Sequence, residues 1–194
     1  MIRKLGIAVA AAAVGVLGFA GPAQAADIRG TNGPDILIGT NNPDNIWGFA
    51  SFDIMRGRAG GDWMSAGRGD DPVYGGRGSD EIHGGRDTDT IIGGPQGDAL
   101  FGERTGDRLE GKSGGDGLWG GLGGDRLLGG RGADFLVPFT RRDVVKAGQG
   151  RDTVRVAVDG YPDRINCGDG FDTVRVVNDQ IDPADSFVRC NNFV

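Results

Sequence analysis

Residues 75–83 read Gly75-Gly76-Arg77-Gly78-Ser79-Asp80-Glu81-Ile82-His83, and this nine-residue arrangement recurs along most of the chain. An aspartate returns every nine residues without a miss: Asp35, Asp44, Asp53, Asp62, Asp71, Asp80, Asp89, Asp98, Asp107, Asp116, Asp125, Asp134, Asp143 and Asp152. Two residues after each stands an apolar side chain, from Leu37 and Ile46 through Ile82 and Leu118 to Val145 and Val154. Before most of them lies a glycine-rich run, best formed at residues 75–80, 120–125 and 129–134. A fixed short period means stacked copies of one small unit, which sets the fold before any local propensity is weighed.

Each unit reads as a six-residue turn, such as 75–80, followed by a three-residue strand, such as 81–83. One such strand cannot bury its apolar face alone, but coiled units give each apolar side chain a counterpart above, below and across. Two units per coil place residue i over residue i+18, with parallel strands about 4.8 Å apart. Glycines belong in the turns, where positive φ is needed and a Cβ would clash, and Asn42 is read as a substitute there. The chain has 39 glycines and 7% aromatic residues, too little large apolar surface for an ordinary layered core of its length.

These units resemble the calcium-binding nonapeptide of the RTX, or haemolysin-type, family over roughly residues 28–155. The resemblance implies an all-β fold, a parallel β-roll: a right-handed β-solenoid with two nonapeptide units per 18-residue turn and an irregular C-terminal cap. It also implies several Ca2+ ions held between turns by aspartate oxygens and loop carbonyls, in keeping with the preference of Ca2+ for oxygen ligands.

Alternate units fall on two edges of such a roll. Edge one holds the loops ending at Asp35, Asp53, Asp71, Asp89, Asp107, Asp125 and Asp143; edge two holds those ending at Asp44, Asp62, Asp80, Asp98, Asp116, Asp134 and Asp152. Edge one is eroded: residues 48–53 keep one glycine, and residues 138–143 keep none and carry Arg141 and Arg142. The expected calcium ligands are therefore Asp62, Asp80, Asp98, Asp116 and Asp134 on edge two, with Gly75, Gly78, Gly93, Gly111, Gly114, Gly129 and Gly132 shaping the loops. Asp71, Asp89 and Asp125 on edge one come second. The competing reading is that many of these aspartates only close turns onto their own backbone.

Charge points the same way. The chain has 21 Lys and Arg, two of them Arg3 and Lys4, against 27 acidic residues, of which only Glu81, Glu103 and Glu110 are glutamates. An acidic, aspartate-dominated chain is a poor nucleic-acid binder and a natural cation binder. Residues 106–113 formally match a phosphate loop and residues 115–120 a dinucleotide loop, but no helix follows either, and both are absorbed by the nine-residue register. His83 is the only histidine, so a catalytic triad or a zinc site has nothing to be built from, and no enzymatic activity is expected. An accessory module of an extracellular enzyme is the alternative, since such repeats often accompany separate catalytic domains.

The outward strand positions read Trp47, Ser65, His83, Phe101, Trp119 and Val137, with Trp63 and Phe135 on the flank. This aromatic face has two readings: a patch for a glycan, a protein partner or another copy, making the protein adhesive, or side-chain ladders that stiffen a thin structure.

The ends differ from the middle. Residues 1–25 carry Arg3 and Lys4, an apolar run and Ala23-Gln24-Ala25, the pattern of a secretory signal peptide cleaved after Ala25 or Ala26. The run from Leu5 to Ala20 is short for a bilayer span, so an extracellular protein without stable membrane insertion is expected, with any cell-surface association falling to the aromatic face. The roll is expected over residues 26–155. Beyond it, over 156–194, the register slips to Asp163 and Asp172, as a degenerate repeat and cap. Cys167 and Cys190, the only cysteines, are expected to form a disulfide in an exported chain.

Overall fold

A computed structural model describes residues 25–177 and 182–194. The leader expected over residues 1–25 lies, but for its last residue, outside the described residues. The described residues form a parallel β-solenoid of nineteen strands in two sheets. Odd-numbered strands, from β1 (Asp27–Arg29) to β19 (Asn192–Phe193), form a ten-stranded sheet. Even-numbered strands, from β2 (Ile36–Ile38) to β18 (Ser186–Val188), form a nine-stranded one. Every pairing joins alternate units in parallel, as Met64 with Ile82 and Leu109 with Leu127, so the eighteen-residue coil is the fold.

The strands are longer than the three residues read from the sequence. β7 (Glu81–Arg86) and β11 (Gly117–Leu122) have six residues each, because the first half of each turn stays hydrogen-bonded to the coils above and below. The side-chain alternation explains what fills the interior. Along β7 the buried positions are Ile82 and Gly84, and along β12 (Arg126–Arg131) they are Leu127 and Gly129. Each unit therefore sends in one aspartate, one large apolar residue and one small residue. The large ones, from Leu37 to Ile165, are at most 1% exposed and stack into a single thin core.

The coil widens near its end. Asp143 and Asp163 are linked by twenty residues rather than eighteen, as are Asp152 and Asp172. The cap closes on a disulfide between Cys167 and Cys190. Cys167 lies in register above Ala147, so the bridge leaves the core through the column of small residues and ties the last segment to it. Phe187 and Phe193 meet edge to face at 5.2 Å over the end of the core.

Candidate metal centre

The aspartates point inward, and nearly all are buried to 4% exposure or less. Each amide of one aspartate donates to Oδ1 of the aspartate one coil later. On edge two the column runs Asp62 to Asp80 at 2.8 Å, Asp80 to Asp98 at 2.9 Å, Asp98 to Asp116 at 2.9 Å and Asp116 to Asp134 at 2.9 Å. Edge one carries the same column, including Asp53 to Asp71 at 2.7 Å and Asp125 to Asp143 at 2.7 Å. Only one oxygen of each carboxylate is used in this way. Oδ2 of Asp53, Asp62, Asp71, Asp80, Asp89, Asp98, Asp107, Asp116, Asp125, Asp134, Asp143 and Asp152 is buried without a hydrogen-bond partner.

Before most of these aspartates the residue five positions earlier is glycine, which makes room for that free oxygen, with Ala66, Pro138 and Ala147 in that place before Asp71, Asp143 and Asp152. A Cβ on Gly102 would lie 2.6 Å from Asp107 Oδ2 and 2.6 Å from the Gly120 carbonyl oxygen, and Gly75, Gly93, Gly111 and Gly129 face Asp80, Asp98, Asp116 and Asp134 in the same way. Gly78, Gly114 and Gly132 have another task. They hold positive φ in the fourth loop position, where a Cβ would run into a carbonyl of the preceding coil.

The eroded loops keep the same backbone. Second and fourth loop positions have positive φ even where no glycine is present: Phe49 and Ser51, Glu103 and Thr105, Phe139 and Arg141. Stacking on neighbouring coils imposes the turn, and the side chains accept left-handed strain of about 1–2 kcal/mol each. The first two loops depart from this. Asn42, read as a left-handed substitute, has no positive φ, and neither do Thr31, Gly33 and Thr40.

Bare carboxylates are costly in these columns. Burial pushes Asp53 and Asp98 up to about 7, Asp62, Asp71, Asp125, Asp134 and Asp152 to about 6, and Asp89, Asp107 and Asp143 to about 8. Burial also raises Asp80 and Asp116. The amide bond from the preceding coil opposes each shift, and neighbouring carboxylates add to several of them. Among the described residues no three acidic, histidine or cysteine side chains converge as a metal site. The donor set is instead single carboxylate oxygens beside main-chain carbonyls, all hard oxygens. That set, with buried Oδ2 atoms lacking partners, fits calcium.

The chain matches the RTX calcium-binding nonapeptide repeat over residues 29–64, 65–100 and 101–136. It belongs to that family. No curated protein matches it. The repeats of this RTX chain thus supply a β-roll and a calcium-binding character, consistent with the donor chemistry of its loops.

The aromatic residues form one ladder on the ten-stranded sheet. Trp47 and Trp63 lie 5.6 Å apart, Trp63 and His83 5.9 Å, His83 and Phe101 4.6 Å, Phe101 and Trp119 4.6 Å, and Trp119 and Phe135 6.1 Å. The central three rings are parallel to within 8° and spend their faces on one another. Val137, expected on this outward face, is 6% exposed. His83 hydrogen-bonds Glu81 and Glu103, each at 3.0 Å, so the lone histidine is a rung of the ladder tied to two carboxylates.

Sequence reasoning missed the far rungs. Asp163 donates to Asp185, and Asp172 to the side-chain oxygen of Asn191 at 3.1 Å. The irregular spacings of 22 and 19 residues conceal them.

Proposed function

We propose that the protein is a secreted, non-enzymatic calcium-binding β-roll whose two aspartate columns are completed by cations. The observation that carries this reading is the run of buried Oδ2 atoms without partners, with main-chain carbonyl oxygens of the next coil beside several of them. Asp62, Asp80, Asp98, Asp116 and Asp134 would hold the ions of edge two, and Asp71, Asp89 and Asp125 those of edge one. Bound there, calcium would supply the positive charge that the columns lack.

The chain's own residues do the rest. The amide of each aspartate fixes Oδ1 of the next and so aims Oδ2, and the glycine five positions before most of them leaves that oxygen room. The apolar column keeps water away from the carboxylates, which sharpens the cost of leaving them unneutralised. Ion binding then contributes directly to folding free energy. A secretory leader over residues 1–25 is in keeping with this, because calcium abundant outside the cell would complete the fold after export. The aromatic ladder serves stiffness in this reading.

Circular dichroism of residues 26–194 in chelator and then in millimolar calcium tests the proposal. The expected result is a gain of β-signal and a higher thermal midpoint on adding calcium; an identical spectrum and midpoint in both would exclude a calcium-dependent roll.

A further inference from the structure

The first two loops occupy Oδ2 of their aspartates without an ion, although Oδ1 of Asp35, at the start of its column, is buried without a partner. They read Gly30-Thr31-Asn32-Gly33-Pro34-Asp35 and Gly39-Thr40-Asn41-Asn42-Pro43-Asp44. No other repeat from Asp35 to Asp152 has threonine in the second position or proline in the fifth. In the first, Oδ2 of Asp35 accepts the Thr31 amide at 2.5 Å and the Thr31 hydroxyl at 3.0 Å. In the second, Oδ2 of Asp44 accepts the Thr40 amide at 2.6 Å and the Thr40 hydroxyl at 3.1 Å. The same hydroxyl oxygens accept the amides of Gly33 and Asn42, each at 3.1 Å, which pins the loop around the threonine.

The oxygen left orphaned in every loop from Asp53 to Asp152 is therefore occupied in these two. The backbone has changed to allow it, since the second and fourth positions have lost the positive φ that all later loops up to Gly150 keep. Asp44 Oδ1 is closed as well, by the Ala26 amide at 2.9 Å. At the opposite end the edge-two column stops on Asn191, a neutral side chain that accepts the Asp172 amide and brings no charge.

We infer that the loops closing at Asp35 and Asp44 are cation-free, that the amides and hydroxyls of Thr31 and Thr40 take the hydrogen-bonding place of an ion at Oδ2, and that Asp35 and Asp44 contribute no calcium ligand. The inference rests on the calcium reading of the later loops. It makes the N-terminal coil an ion-independent end cap, a rung whose Oδ2 atoms are already occupied and onto which the ion-dependent coils stack.

Calorimetric calcium titration of wild type, Asp35→Asn, Asp44→Asn and Asp80→Asn separates the two ideas, with thermal midpoints read in calcium and in chelator. Asp35→Asn and Asp44→Asn are expected to keep the wild-type stoichiometry and to lower the midpoint by the same few degrees in both buffers. Asp80→Asn is expected to lose stoichiometry. Thr31→Val with Thr40→Val, which keeps both carboxylates, is expected to lower the midpoint while leaving its calcium-dependent increment unchanged. Loss of stoichiometry in Asp44→Asn or Asp35→Asn equal to that in Asp80→Asn, or a reduced calcium increment in the threonine variant, would overturn the inference alone. A wild-type chain that takes up no calcium would overturn the calcium reading beneath it.

Discussion

The backbone amide of Asp62 donates to Oδ1 of Asp80 at 2.8 Å, while Oδ2 of Asp80 stays buried with no partner. One side chain thus does two things: it stitches consecutive coils together and it holds a second oxygen in readiness. The stitch exists without an ion; the second oxygen is a liability until something positive meets it.

Replacing Asp80 or Asp116 by Ala removes both functions, leaving the Asp62 or Asp98 amide unsatisfied at a cost of about 1–3 kcal/mol. Calcium stoichiometry is expected to fall in these variants more than in Asp53→Ala or Asp143→Ala. The loop before Asp143 carries Arg141 and Arg142, whose charges oppose a cation. Calorimetry on the four variants checks the ranking, and equal losses would remove the distinction between the edges.

Without calcium the dependence on pH has a definite sign. Burial raises carboxyls such as Asp89 and Asp143 from 3.8 to about 8 in the folded chain, so between those values the folded state binds more protons than the unfolded state. Stability in chelator is expected to be highest at the acid end of this window and to fall as pH rises through it. Ligation needs the deprotonated carboxylate, so the increment from calcium is expected to grow over the same range. Urea melts in chelator and in calcium at several pH values measure both slopes.

Phe49, Phe139 and Arg141 hold positive φ against their own preference. Arg141→Gly relieves about 1–2 kcal/mol of left-handed strain, against about 0.5–1 kcal/mol of added chain entropy in the unfolded state. A small net stabilisation is expected, read as a higher urea midpoint at unchanged slope.

The Cys167–Cys190 bridge closes a separation of 23 residues and anchors the cap through the small-residue column. Cys167→Ser with Cys190→Ser is expected to lower stability by roughly 3 kcal/mol on the chain-entropy account, in calcium and in chelator alike. Hydrogen exchange is expected to rise first over residues 182–194.

Phe101 and Trp119 lie 4.6 Å apart with nearly parallel rings, a stack worth about 0.5–1.5 kcal/mol beyond its buried area. Replacing both by Ser is expected to lower the thermal midpoint while leaving calcium stoichiometry intact. Loss of calcium binding in this variant would mean that the ladder positions the loops.

The coil was legible because its period is written in three residue types at once. Asp80, Ile82 and Gly84 are the three inward positions of one unit, and each recurs by chemical type. What the sequence hid lies where one slot carries two chemistries. Thr40 sits where a glycine is expected, and its hydroxyl satisfies Asp44 instead of shaping a left-handed turn, so Asn42 beside it was misread. The inward bond of each aspartate was hidden too, because it reaches eighteen residues away rather than into its own turn, except at Asp35 and Asp44. Asp185 and Asn191 escaped notice because the closing coils change length, and only stacking reveals them as rungs.

The most direct test of the central claim is a calcium anomalous-difference map from crystals of residues 26–194 grown with calcium. The account predicts a row of peaks beside Oδ2 of Asp62, Asp80, Asp98, Asp116 and Asp134, and none at Asp35 or Asp44. A map with no peak along either aspartate column would contradict it.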